Sequence, residues 1–159
     1  MSSDPFRPQK PSHITSVTEG LCALTATEAV ARLRAGEVTA AELVEASIAR
    51  MEEVDPKVNA LPIPCFDRAR DMARKLRPED HADNPKSLCG LPIAVKDYND
   101  FIGVRTTYGS PIFAQSVAAQ SDATVRQLER NGAIPMAKSN VPEWAGGNTF
   151  NPVFGATRN

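Results

Sequence analysis

Histidine is scarce in this sequence, with His13 and His81 the only two among 159 residues. One stands in a Pro/Ser/Thr-rich N-terminal stretch and the other in a charged loop, which argues against a Ser-His-Asp relay. His81 is expected to be solvated there. Cysteine is also sparse. Cys22, Cys65 and Cys89 are odd in number, widely spaced and form no C-x-x-C, so they suit buried free thiols in a reducing compartment better than a disulfide framework. No Cys, His and carboxylate cluster has metal-ligand spacing, so no metal is expected. Net charge is nearly absent, at −1, which removes the electrostatic case for direct binding to nucleic acid or an anionic membrane. No apolar run approaches a membrane span, and Ser2–Pro8 lacks the apolar core of a signal peptide. The reading is cytoplasmic.

What is present is ordinary for a folded domain: 42% hydrophobic and 23% charged residues, in a chain long enough for a real core. Residues 1–20 show no periodicity and read as a poorly ordered arm, leaving 21–159 as one domain without an internal boundary. Two helix starts then follow in quick succession. Thr25 and Glu28, and again Thr39 and Glu42, stand three apart as in capping boxes, and each precedes an apolar stripe. Gly36 separates the two, and Pro56 is expected to end the second. This is a helical hairpin. Asn59–Cys65, with two prolines, reads as an edge strand, and Phe66–Leu76 as an amphipathic helix.

The most informative stretch is Gly90-Leu-Pro-Ile-Ala-Val-Lys-Asp97. Its short apolar run between turn residues reads as a buried strand that carries Lys96 to its carboxyl end, where crevices in α/β sheets lie. Ser121 or Asp122 is positioned to cap a helix reaching Asn131, and Ala133–Ala137 reads as a second buried strand. Strand, helix, strand is a crossover unit, which favours adjacent parallel strands and places Ser139 near Lys96. The fold class is therefore α/β.

The wording around these strands resembles the amidase signature family. Gly90–Asp97 with Thr106-Thr-Tyr-Gly-Ser110 is the first matching block. Gly132–Asn140 with Pro142-Glu-Trp144 is the second, and Asn151-Pro-Val-Phe-Gly-Ala-Thr-Arg-Asn159 the third. The likeness runs from about Leu24 to Asn159 and implies the N-terminal part of that fold, a mixed sheet flanked by helices. Such enzymes hydrolyse carboxamides with a Ser–cis-Ser–Lys triad and need no cofactor or metal. By resemblance Lys96 is the triad lysine, and Lys138 is the family's turn lysine. The Gly/Ser-rich segment that holds both serines is expected just past Asn159.

A lysine base is also what the residues leave open once histidine and metal are set aside. Lysine serves only when neutral, and moving its reference value of ~10.4 to ~7–8 requires roughly 3.5–5 kcal/mol of burial or like charge. With the covering segment absent from this sequence, Lys96 is expected to be partly exposed. Asp97 is read as capping the turn after its strand, and Ser110 and Ser139 as turn residues, Ser139 also lining the site. Tyr98 and the run Gly147-Asn148-Thr149 are expected to shape the substrate pocket. Trp144, Phe150 and Phe154 are read as core or pocket wall. The expected partner is a small-molecule amide, with homo-oligomer formation or association through an open sheet edge. Two other readings stay open: a catalytically inactive fragment or binding module, and a protein like the A subunit of the amidotransferase that works in tRNA-dependent amidation.

Overall fold

Both capping boxes form, because each needs only contacts three residues apart. In the computed structural model, which describes residues 17–81 and 83–159, the Thr25 hydroxyl accepts from the Glu28 N–H at 3.2 Å. The Glu28 carboxylate accepts from the Thr25 N–H at 2.8 Å, and α2 follows over Ala26–Ala35. Thr39 and Glu42 repeat the pattern at the start of α3, Ala40–Val58. Between them Gly36 takes a left-handed φ of 69°, which lets its own N–H and that of Glu37 reach back to the last carbonyls of α2. A further helix, α1, occupies Val17–Cys22 and packs on α3. Residues 17–20 of the expected arm are thus helical, while residues 1–16 lie outside the described residues.

Pro56 does not end α3, which continues to Val58. A proline this near the C-terminus removes only one intrahelical bond, and the exit is secured by other groups. Asn59 turns left-handed and donates its N–H to the Asp55 carbonyl at 2.7 Å, while the Asp55 carboxylate collects the N–H groups of Ala60 and Leu61.

The main sheet has the order β1-β3-β2. Strand β1, Ile63–Pro64, runs antiparallel to β3, Ile134–Ser139, and β2, Pro92–Lys96, runs parallel to it. Helix α4, Phe66–Lys75, follows β1, and α5, Ala123–Arg130, is the crossover between β2 and β3. The expected parallel neighbours and the proline-bearing edge strand are both present, and the architecture is mixed α/β. One hydrophobic cluster joins Ile134 and Met136 to the apolar faces of α2, α3 and α4, including Leu33, Val44, Ile48 and Ala69. A second holds Val95, Phe101 and Val125. Gly90, at φ 97°, lets the turn before β2 press against α3, since a Cβ there would stand 2.5 Å from that of Ala40.

The register of β2 on β3 steps from Ile93 opposite Pro135 to Ala94 opposite Ala137, so Met136 is an extra residue and β3 carries a bulge. Side chains alternate along a strand, so one inserted residue exchanges the faces beyond it. Lys138 therefore leaves the side of Ile134 and shares the face of Val95 and Asp97.

Several local expectations yield to longer-range bonds. Asp122 does occupy the N-cap position of α5, but neither its side chain nor that of Ser121 makes the capping hydrogen bond. The Ser121 hydroxyl accepts from the Ile102 N–H, and the Asp122 carboxylate accepts from the Asn99 amide and the Asp100 N–H, so both pin the loop after β2 instead. His81 is half-buried rather than solvated and abuts Gly132, where a Cβ would come within 3.0 Å of its ring. The three cysteines are free but not buried: Cys22 is exposed, and Cys65 and Cys89 are half-buried. Desolvation pushes the Cys65 thiol up from its ordinary value.

A small hairpin, β4 (Phe150–Asn151) and β5 (Gly155–Ala156), closes the described chain. It is held by a clasp of side-chain amides. Asn140 donates to the carbonyls of Asn59 and Gly155 and to the Thr157 hydroxyl, and its own oxygen accepts from Asn151 at 2.6 Å. Asn59 donates in turn to the carbonyls of Phe154 and Ala156. Among the described residues no helix is long and apolar enough to cross a membrane.

Candidate active site at the carboxyl ends of the parallel strands

Strand β2 ends on Lys96, and in register beside it on β3 stands Ser139. The Asp97 N–H donates to the Ser139 carbonyl at 3.0 Å, which locks the two strand ends together. Paired residues of neighbouring strands share a face, so Lys96 and Ser139 project to one side while Asp97 and Lys138 project to the other. Lys96 is exposed. Among the described residues no carboxylate or carbonyl pairs with its ammonium, whose neighbour is the Tyr98 ring at 5.7 Å. The structure thus brings together Lys96, Tyr98 and Ser139.

Lys138 has the opposite surroundings. It and Asp97 are both fully buried and face each other at 3.3 Å. The Lys138 ammonium also donates to the Asn99 carbonyl and the Thr106 hydroxyl, each at 2.7 Å, so all three of its N–H groups are engaged. Burial pulls the lysine below its ordinary value, opposed by the Asp97 carboxylate. Asp97 receives the Thr107 N–H at 3.1 Å and the Thr107 hydroxyl at 2.5 Å. It does secure the turn after β2, as expected, but through a partner ten residues on and a buried ion pair. Two lysines thus lie in register positions one residue apart, one saturated inside and one free outside. Among the described residues no group of three or more His, Cys, Asp or Glu could hold a metal ion.

The other expected site residues are placed differently. Gly147 and Asn148 are exposed and Thr149 half-buried, in the loop leading into β4. Their backbone bonds run within the hairpin, from Phe150 N–H to Asn148 and from Thr157 N–H to Thr149, and not to Lys96. Ser110 precedes a 3₁₀ turn, Pro111–Phe113, without capping it, and its buried hydroxyl has no hydrogen-bond partner. Trp144 and Phe150 are not core, being 53% and 63% exposed. What sequence reasoning missed is Tyr108, whose hydroxyl donates to Asp100 at 2.8 Å and whose ring touches those of Tyr98, Phe113 and Trp144. Burial first, then the Asp100 carboxylate, push its phenol up to about 12. The one available signal was its place between the threonines and Gly109.

The family is decided by comparison with known proteins, where residues 42–159 match the family model described as Amidase. The chain belongs to the amidase family. Among curated relatives of this amidase-family chain is the A subunit of the glutamyl-tRNA(Gln) amidotransferase of Carboxydothermus hydrogenoformans. It is 33% identical over 138 residues, covering 86% of this chain and 28% of the relative. The putative amidase AmiB2 of Mycobacterium tuberculosis is 41% identical over 126 residues, covering 78% of this chain and 27% of the relative. In structure the chain is similar to 6-aminohexanoate cyclic dimer hydrolase, with a TM-score of 0.75 and 28% identity, over 86% of this chain and 27% of that one. This amidase-family chain thus spans just over a quarter of the length of the proteins it matches.

Proposed function

We propose that this chain supplies the lysine of an amide-cleaving enzyme, Lys96 acting as the base of a Ser–cis-Ser–Lys triad. The observation that carries the reading is the contrast between the two strand-end lysines: Lys138 is saturated by Asp97, Asn99 and Thr106, and Lys96 is not. In the proposed reaction neutral Lys96 takes a proton from the cis-Ser, which takes one from the nucleophilic Ser as it attacks the amide carbon. The amine leaves, an acyl-enzyme remains, and water releases the acid. Both serines belong to a Gly/Ser-rich segment that residues 1–159 do not contain, so the isolated chain is proposed to be inactive. The substrate is a small-molecule amide, and no metal or cofactor takes part.

The test is Lys96→Ala in the enzyme that carries this chain together with the serine segment. Hydrolysis of a simple carboxamide should fall by roughly 10²–10⁴-fold, the contribution of a positioned general base. Retention of activity within threefold would refute the assignment. The amidotransferase reading is favoured by the identity with the Carboxydothermus protein. It predicts that amide cleavage appears only when partner subunits are present, whereas a free-standing amidase needs none.

A further inference from the structure

Two hydrogen bonds connect Lys138 to the backbone of Lys96. The Lys96 carbonyl accepts from the Asn99 N–H at 2.9 Å, closing a turn over residues 96–99. The Asn99 carbonyl, at the far end of that turn, accepts from the Lys138 ammonium at 2.7 Å. The same ammonium faces the Asp97 carboxylate at 3.3 Å and donates to the Thr106 hydroxyl at 2.7 Å. One side chain of β3 thus grips the turn at Asp97 and Asn99, and the returning loop at Thr106. Asp97 is held again through its backbone, its N–H on the Ser139 carbonyl and its carbonyl on the Tyr108 N–H. The grip is wholly interior, with Lys138 and Asp97 0% and Thr106 1% exposed. Burying two paired charges often gains little over apolar residues of like volume, so what this pair adds is a fixed geometry. That geometry reaches Lys96, whose backbone is pinned while its side chain stays free.

We infer that Lys138 and Asp97 are positioning residues: they hold the turn that fixes where Lys96 stands, an inference that rests on Lys96 being the amidase base. Displacing a catalytic group by about 1 Å costs up to about 10²-fold in rate, so such a grip acts on turnover more than on substrate affinity. The pair also leaves an electrostatic mark. Asp100 keeps the Tyr108 hydroxyl, and Asp122 keeps the Asn99 amide and the Asp100 N–H, so removing Lys138 strips the counter-charge from Asp97 alone. An unpaired anion beside a lysine favours its charged form, which raises the pH at which Lys96 turns neutral.

The test uses the enzyme that carries this chain together with the serine segment. Its kcat and KM are measured for the carboxamide of the Lys96→Ala experiment and referred to folded protein. Thr106→Val removes one acceptor without unpairing a charge. It should lower kcat roughly threefold to tenfold with KM within about twofold, and Thr106→Ser, which keeps the hydroxyl, should match the parent. Lys138→Met should lower kcat roughly 10-fold to 100-fold and move the acid limb of its pH profile up by about one unit. When Asp97→Asn is added to Lys138→Met, the limb should return to the parent position while kcat stays low. A merely structural role would reduce the amount of folded enzyme and leave the limb in place. Parent kcat in Thr106→Val, or an unmoved limb in Lys138→Met, overturns the inference, and where Lys138→Met does not fold the two Thr106 variants decide. If Lys96→Ala keeps its activity, the base assignment fails. If Lys96→Ala is inactive while the Thr106 and Lys138 variants match the parent, the positioning role alone fails.

Discussion

Replacing Lys138 with methionine, close in length and apolar, isolates what the buried ion pair contributes. The substitution leaves the Asp97 carboxylate fully buried with only Thr107 to solvate it, and leaves the Asn99 carbonyl and Thr106 hydroxyl without their donor. Breaking one side of a buried pair costs about 3–5 kcal/mol, and the orphaned groups overlap with that figure rather than adding to it. Against a total stability of about 5–15 kcal/mol for a domain of this size, Lys138→Met should bring the protein close to unfolding. Urea denaturation at pH 7 measures it. The decisive comparison is the pair Asp97→Asn with Lys138→Met. Asparagine keeps an acceptor for Thr107 but carries no charge, so the double variant should recover at least about 1 kcal/mol over Lys138→Met alone. If Lys138→Met costs less than about 1 kcal/mol, or if Asp97→Asn brings no recovery, the pair is not the anchor inferred for the loop after β2.

Two further outcomes are expected. Gly90→Ala should destabilise by about 2–4 kcal/mol, because it forces a side chain into a left-handed backbone and onto the Ala40 Cβ; Ala40→Gly in the same chain should relieve the steric part, seen as a partial return of the urea midpoint. In a Tyr98→Phe background the tyrosinate absorbance of Tyr108 should rise near pH 12 rather than 10, and Asp100→Asn should bring it down. An acid held above its unfolded value keeps its proton longer in the folded state, so Tyr108 should lower stability as pH rises from about 10 to about 12, and Tyr108→Phe should remove that contribution, read as the difference between the two stability–pH curves.

What the sequence disclosed was what neighbouring residues decide. Thr25 with Glu28 and Thr39 with Glu42 are complete within four residues, and the strand–helix–strand order around α5 has a nearly forced handedness that set β2 and β3 parallel. What it concealed depends on partners far along the chain. Asp97 and Lys138 are 41 positions apart, and they meet only because the bulge at Met136 reverses the alternation of β3, which no periodicity announces. Ser121 and Asp122 are good caps by type, but the loop at 99–102 claims them first. The strand-end place of Lys96 and its exposure were both legible in the sequence, whereas the ring cluster beside it was not. Trp144 faces outward against its own hydrophobicity, held by a backbone that pattern reading assigns to glycine.

The amide clasp between Asn59 and the closing hairpin also bears on how the chain is made. Its bonds join positions 95 to 98 residues apart, and Arg158 donates to Val58 across a still longer span. Closing a loop of that size costs about 4 kcal/mol of chain entropy by the logarithmic law. During synthesis the exit of α3 must wait, its Asn59 carbonyl and amide facing water, until residues near Thr157 have left the ribosome. Helices α1 to α4 can assemble early on local contacts, but the clasp is a late event that registers arrival of the segment on which it depends.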